Sequence, residues 1–271
     1  MKTFRLLVHP PASGPWNMAV DEAILDSIGL GESLPTVRLY AWDPPCLSLG
    51  YSQSIHDVDQ DRLSEKGWGL VRRMTGGRAI LHADELTYSL IAPHNNSLVA
   101  GSLLESYHKI ARGLLKALHF LGISGEINQD SQNMDSNHSG PVCFEVPSPY
   151  EITYQGKKLI GSAQARRKQG ILQHGSLPLF GDLGRIIEVL AFVNERIRRE
   201  TLKRLMDHAT NVEMITGSCL DWELAAGAFQ KSFQTEMDLD LLPGKLTSKE
   251  KEIIPELIRT KYSNPDWTDR I

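Results

Sequence analysis

The sequence predicts a mixed helix-and-strand fold, on three observations. Short period-two segments recur through the first two thirds of the chain. Two helices open on complete capping boxes, Ser102 with Glu105 and Thr247 with Glu250. Three successive strands near the middle are joined by turns so short that they must pair antiparallel. The 271 residues suit one large domain, or a domain with an appendage. Hydrophobic residues at 41% and charged residues at 23% give the balance of an ordinary globular chain.

FRLLV, near the start, reads as a strand. A helix follows over residues 15–28, with Trp16, Ala19, Val20, Ala23, Ile24 and Ile28 on one face. Asp21 and Glu22 fall on its other side, where solvated surface is expected. Residues 36–42 and 46–51 read as strands broken apart by Pro44-Pro45. A short helix over 58–66 stops at Gly67. Residues 71–90, VRRMTGGRAILHADELTYSL, run apolar into two arginines, turn on Thr75-Gly76-Gly77 and resume as alternating strand. From Ser102 a helix carries Leu103, Tyr107, Ile110, Ala111, Leu114, Leu118 and Leu121 as one stripe, and Gly122 ends it. Residues 128–140, NQDSQNMDSNHSG, have no apolar period and are expected to form a mobile loop. Strands over 150–154 and 158–166 flank the turn Gln155-Gly156-Lys157, and a further strand over 171–180 follows Lys168-Gln169-Gly170. From Asp182 onward the pattern is helical, with Trp222, Ala225, Phe229 and Phe233 marking one face.

Composition excludes several classes of function. A net charge of -4 gives no reason to expect a nucleic-acid partner. Three cysteines without a CxxC pair argue against a disulfide framework or a cysteine-rich zinc site. The nine histidines lack ligand spacing, so no metal is expected. The first residues have no long apolar core and no run approaches a membrane span, so a cytoplasmic protein with reduced thiols is expected.

The chemistry-bearing residues gather in a few blocks. Gly76-Gly77 lets the backbone turn tightly and approach a ligand, and Arg72, Arg73 and Arg78 at its mouth suit an anion or carbonyl; an ordinary hairpin with a solvated basic flank is the plainer reading. His82 follows the turn. Cys143 emerges from the polar loop beside Pro141, either as a nucleophilic thiol or as a small buried hydrophobe, the latter being the reading for Cys46 and Cys219. Lys158 begins a strand ahead of Gly161, Ser162 and Ala163, small residues that let a substrate lie against the backbone. A lysine there can polarise an acyl carbonyl or help ionise a thiol. His174, in LQHGSL, is either a site residue or a half-buried strand histidine.

RRMTGGRAILH, GKKLIGSAQAR and LQHGSL, in that order, resemble the biotin/lipoate protein ligase catalytic domain over roughly residues 1–240, leaving 241–271 as a C-terminal helical extension. The resemblance implies an α+β fold, with a large mixed sheet, a smaller sheet and helices around them. It implies enzymes that attach biotin, lipoate or octanoate to a carrier-domain lysine. The ATP-using lipoate ligases of this family carry a third glycine where Arg78 stands, and an asparagine-rich strand where this chain has ELTYSL. PVCFEVPSPYEI is similar to the cysteine segment of the LipM-type octanoyltransferases, which need no ATP. That likeness implies Cys143 as nucleophile and Lys158 as its activating partner, with Arg72, Arg73, Thr75, Gly76, Gly77, Arg78, His82, Gly161, Ser162, Ala163 and His174 around the substrate. It implies no cofactor, octanoyl-acyl carrier protein as donor, and a lipoyl-accepting domain as acceptor: the glycine cleavage H protein or a 2-oxoacid dehydrogenase E2. The alternatives are an ATP-dependent lipoate or octanoate ligase, or an amidotransferase between lipoyl domains. Residues 70–74, Tyr88 and residues 160–163 are the expected walls of an acyl slot. Arg72, Arg73, Arg78, Lys157, Lys158, Arg166, Arg167 and Lys168 form a local basic group, either a dock for an acidic carrier or a solvated rim.

Overall fold

A computed structural model describes residues 1–128, 142 and 151–271. Its strands are β1 (Lys2–Val8), β2 (Thr36–Tyr40), β3 (Cys46–Leu49), β4 (Gly69–Arg72), β5 (Ile80–His82), β6 (Glu85–Ala92), β7 (Glu126–Ile127), β8 (Ile152–Tyr154), β9 (Lys157–Arg167), β10 (Gly170–Pro178) and β11 (Leu239–Pro243). The helices are α1 (Gly14–Gly29), α2 (Gln60–Glu65), α3 (Leu103–Phe120), α4 (Glu195–His208), α5 (Val212–Thr216), α6 (Trp222–Thr235), α7 (Ser248–Leu257) and α8 (Pro265–Thr268). Among the described residues, eight strands make one sheet in the order β11-β1-β2-β6-β10-β9-β8-β7, and β4-β3-β5 make a second. In the large sheet β11, β1 and β2 run parallel, and every later neighbour is antiparallel. The expected α+β fold is the one observed.

Alternation along the strands divides the large sheet into two faces. Phe4, Val37, Leu39, Leu86, Tyr88 and Leu90 pack under α3 and α6, where Ile110, Leu114, Phe229 and Phe233 complete the core. Leu7, Tyr40, Ile91 and Leu172 face the other way, onto Met18, Ala19, Val20 and Ile24 of α1, with Ile254 of α7 beyond. A third cluster joins Leu47 and Leu49 of the small sheet, with Ala79 just before β5, to Leu63, Ile186, Val189 and Leu205, and Val142 lies in it. The helix starts follow the sequence: both capping boxes form, and Pro15 takes the first turn of α1, where its missing N–H costs nothing.

Four readings are corrected. The glycine turn does not close a hairpin, because β4 and β5 pair with opposite edges of β3 rather than with each other. The strand after the turn is two strands, β5 in the small sheet and β6 in the large one, split where Asp84 takes a positive φ of 50°. Asp21 and Glu22 are not solvated: α1 is enclosed between the sheet and the C-terminal segment, Asp21 is 1% exposed, and Glu22 accepts from Lys261 and Tyr262. Cys219 is exposed, its thiol donating to Glu213 at 3.0 Å, while Cys46 is buried as expected. β11 spans residue 240 and adds an edge strand beside β1. Of the mobile loop expected over residues 128–140, all but Asn128 lies outside the described residues.

Candidate active site

The inner face of the large sheet, the small sheet and α1 meet around two histidines. His174 comes from β10, opposite Ala163 of β9. Its Nε2 lies 2.8 Å from the Thr75 hydroxyl, which ties the large sheet to the turn after β4. Its Nδ1 lies 3.6 Å from Asp21, too long for a good hydrogen bond. Burial pushes the His174 imidazole below its ordinary pKa, against the pull of Asp21, so the ring is neutral near pH 7. Asp21 accepts from Arg38 at 2.7 Å, from Ser89 at 3.0 Å and from Tyr40 at 3.1 Å. Burial alone would raise its carboxyl; the Arg38 charge and the His174 contact reverse that and leave it below the usual carboxylate range.

His82 is held the same way from the other side. Its Nδ1 sits 2.7 Å from Glu85, its Nε2 sits 2.7 Å from the Ser48 hydroxyl, and its ring stacks on Trp42 at 3.9 Å. Ser176 of β10 donates to the same Glu85 carboxylate at 2.7 Å. Ser48 accepts from Arg73 at 2.6 Å, and Arg73 also donates to the carbonyls of Gly76 at 3.0 Å and Arg78 at 3.1 Å. Both histidines thus reach the glycine turn, His174 through Thr75 and His82 through Ser48 and Arg73.

The turn itself is cramped from outside. The Tyr51 amide donates to the Thr75 carbonyl at 2.8 Å. A Cβ on Gly50 would stand 1.8 Å from the Gly77 carbonyl oxygen, and Gly77 takes a φ of +93°. Glycine is required at both places, by close approach at Gly50 and by backbone conformation at Gly77.

The remaining expected site residues divide. Arg72 is 0% exposed and donates to the carbonyls of Gly50, Gln53, Trp267 and Thr268, so it clamps backbone rather than facing the turn's mouth. Arg73 is 2% exposed and organises the turn from within. Gly76 and Gly77 are exposed, and Arg78 is half-buried. Gly161 and Ala163 share the His174 face, while the Ser162 hydroxyl points to the opposite face and meets the Tyr88 hydroxyl at 2.8 Å. The expected acyl slot is split for the same reason: Tyr88 and Ile160 pack under α3 and α6, whereas Val71 and Met74 pack with α1. The basic group is only partly a surface, since Arg72, Arg73 and Lys158 are buried. Its exposed members Arg166 and Arg167 spend hydrogen bonds on carbonyls, and Lys157 donates to Met206 O at 2.9 Å.

Lys158 is 0% exposed, with its Nζ hydrogen-bonded to the Glu151 carboxylate. Cys143 lies outside the described residues. Its chain neighbour Val142 is buried and bridges in parallel to Ala79, one residue past Arg78. A small open pocket lies beside Val142, lined by Ile80, Leu81, Phe180, Ile186, Leu205 and Ala209 together with the charged Glu85, Asp182 and Arg185. Ala209 also bridges to Lys158. Asp21, Glu85, Ser48 and Glu151 were not expected at the site. Asp21 sits in a helical register that reads as surface, and the others carry no motif of their own.

Residues 13–234 match the family described as lipoyl protein ligase A/B catalytic domain. Octanoyltransferase LipM of Kyrpidia tusciae is 39% identical over 274 aligned residues, covering 100% of both chains. Octanoyltransferase LipM of Brevibacillus brevis is 38% identical, again over 100% of both. A putative lipoate protein ligase from Thermoplasma acidophilum with bound lipoic acid superposes with a TM-score of 0.80 at 25% identity, covering 100% of both chains. A bipartite lipoate protein ligase from the same organism, described with its E2 lipoyl domain, gives 0.83 at 24% identity, covering 99% of this chain and 97% of that one, and so attests the fold. By its family match and by full-length identity to curated relatives, the chain belongs to the lipoyl protein ligase A/B catalytic domain family.

Proposed function

We propose that this chain is an octanoyltransferase of lipoate biosynthesis. It moves an octanoyl group from octanoyl-acyl carrier protein, through a thioester on Cys143, to a lysine of a lipoyl-accepting protein. The observation that carries the reading is the full-length likeness to relatives named octanoyltransferase LipM. Cys143 and Lys158 supply the chemistry that such a transfer needs. A free cysteine has a pKa of about 8.5 and is mostly protonated near neutrality; a close ammonium favours the thiolate. The Cys143 thiolate attacks the donor thioester carbonyl, and the carrier thiolate leaves and takes up the proton given up by Cys143. The acceptor amine then attacks the new thioester, a C–N bond forms, and the Cys143 sulfur leaves and regains a proton from that amine. Thioester exchange is close to balanced and the final amide is more stable, so no nucleotide is consumed.

The apolar side of the pocket beside Val142 offers part of a surface for an alkyl chain, and each methylene buried there would contribute about 0.8 kcal/mol. Thr75, Gly76, Gly77, Arg78, His82 and His174 form the substrate-facing wall of this reading, with Gly161 and Ala163 as the close-approach strand. Arg72, Arg73 and Ser162 support from behind. The acceptor is a lipoyl domain, either the glycine cleavage H protein or a 2-oxoacid dehydrogenase E2.

Intact-mass analysis after incubation with octanoyl-acyl carrier protein tests the proposal. An octanoyl adduct is expected on the protein, absent from Cys143→Ser, with no transfer from octanoate plus ATP. Transfer of free octanoate that needs ATP and survives Cys143→Ser would replace this reading with that of a ligase.

A further inference from the structure

Lys158 is closed off from bulk solvent. It is 0% exposed, and its Nζ lies on the carboxylate of Glu151, itself only 7% exposed. A buried ammonium either sheds its proton or finds a buried counter-ion. The backbone builds the pairing. Thr153 stands opposite Lys158 across β8 and β9, and a register shift then brings Ile160 rather than Leu159 opposite Ile152. A bulge of this kind re-aims the side chains beside it. Glu151 lies two residues before Thr153, so it leaves the same side of the strand and meets Lys158 diagonally. Both main chains are fixed. Asn128 donates to the Glu151 carbonyl at 2.9 Å, and Thr210 donates to the Lys158 carbonyl at 3.0 Å.

We propose that Glu151 is a positioning residue for the transfer, keeping the Lys158 side chain charged and aimed. The inference rests on the acyl-transfer reading of Cys143 and Lys158. Glu151 acts through Lys158. Loss of its carboxylate takes a counter-charge from the buried ammonium and so favours the neutral amine, which gives a thiolate no stabilisation. The thioester chemistry then slows, while recognition of donor and acceptor is untouched.

The test compares Glu151→Gln and Glu151→Asp with the wild-type chain in octanoyl transfer from octanoyl-acyl carrier protein, measuring kcat and KM separately and thermal unfolding alongside. Glu151→Gln is expected to lower kcat at least about tenfold, the scale of one pKa unit on the thiol, with KM unchanged within about twofold. Glu151→Asp keeps the charge but retracts it by one methylene, so a smaller loss is expected, again in kcat. If Glu151→Gln does not fold, Glu151→Asp decides: a fall confined to kcat supports the proposal, and a wild-type kcat overturns it. Cys143→Ser and Lys158→Met separate this inference from the reading beneath it. Should Cys143→Ser still transfer, that reading falls and the proposal with it. Should both variants be dead while Glu151→Gln keeps its kcat or loses only in KM, the reading stands and the role of Glu151 is wrong.

Discussion

At the scale of single residues, the site is assembled from groups whose environment fixes their protonation. His9 shows the physics in a simple form. Its Nδ1 accepts from Arg38 Nε at 2.9 Å, so the ring must be neutral at that nitrogen. Burial first, and the Arg38 charge second, bring its pKa down from 6.5 to about 4. The sign of the linkage follows. Above pH 6.5 both folded and unfolded chains hold His9 neutral. As pH falls, the unfolded chain takes the proton first, so this group costs stability progressively between about 6.5 and about 4, and nothing further below that. His174 slopes in the same direction, since burial depresses it too. His9→Gln removes the titration and leaves an acceptor, so its urea midpoint should fall less than the wild type's as pH drops from 7 to 4. Parallel curves for the two proteins would show that His9 does not titrate on unfolding. Asp21 is the residue that sequence misled most. Its place on α1 opposite the apolar face reads as surface, and only the Arg38, Tyr40 and Ser89 side chains projecting from the sheet explain why a carboxylate is buried there. Breaking such a buried pair from one side typically costs 3–5 kcal/mol, whatever it contributes to chemistry.

At the scale of elements, much was legible wherever one local rule decides. The capping boxes marked the starts of α3 and α7, and the short turns at Gln155-Gly156 and Lys168-Gln169 forced β8, β9 and β10 to pair antiparallel. Positive φ at both Gln155 and Gly156 suits the twist of a two-residue hairpin. What failed was partnership between elements distant in sequence. Nothing local says that β4 and β5 pair with opposite edges of β3, or that a five-residue strand near the end adds itself beside β1. The same limit hid Glu85 and Ser48, which belong to the site only because β5, β6 and β3 converge on His82. Gly50 carries the consequence. Following β3, it presses on the Gly77 carbonyl so closely that no side chain fits. Gly50→Ala should therefore destabilise the protein by about 1–3 kcal/mol, as overpacking does, and displace the glycine turn with loss of octanoyl transfer. A chemical-denaturation midpoint equal to wild type, with full transfer activity, would mean that the turn relaxes freely.

At the scale of the whole molecule, the two faces of the large sheet do different work. One is a closed apolar layer under α3 and α6; the other holds α1, the polar site and the small sheet, and is bound to the C-terminal segment. The last residues of that segment meet the stretch around Gly50 through few groups. Arg72 donates to Trp267 O and Thr268 O on one side and to Gly50 O and Gln53 O on the other. Trp267 Nε1 returns a hydrogen bond to the Arg72 carbonyl at 2.9 Å, Arg270 lies 3.7 Å above the Tyr51 ring, and the Ile55 amide donates to Ile271 O at 2.7 Å. The segment around Gly50 is thus held between the C-terminal residues and the glycine turn. Ending the chain at Ser263 removes two acceptors from a buried guanidinium, each worth about 1–3 kcal/mol when left unmade, but leaves the apolar layer under α3 and α6 intact. The loss should be local rather than global. Hydrogen exchange reads the difference. In the shortened chain the Ile55 and Tyr51 amides should exchange much faster, while amides of α3 and β6 keep their protection. Uniform loss of protection across α3, β6 and Tyr51 would show instead that the C-terminal segment stabilises the fold as a whole, and that the glycine turn has no separate dependence on it.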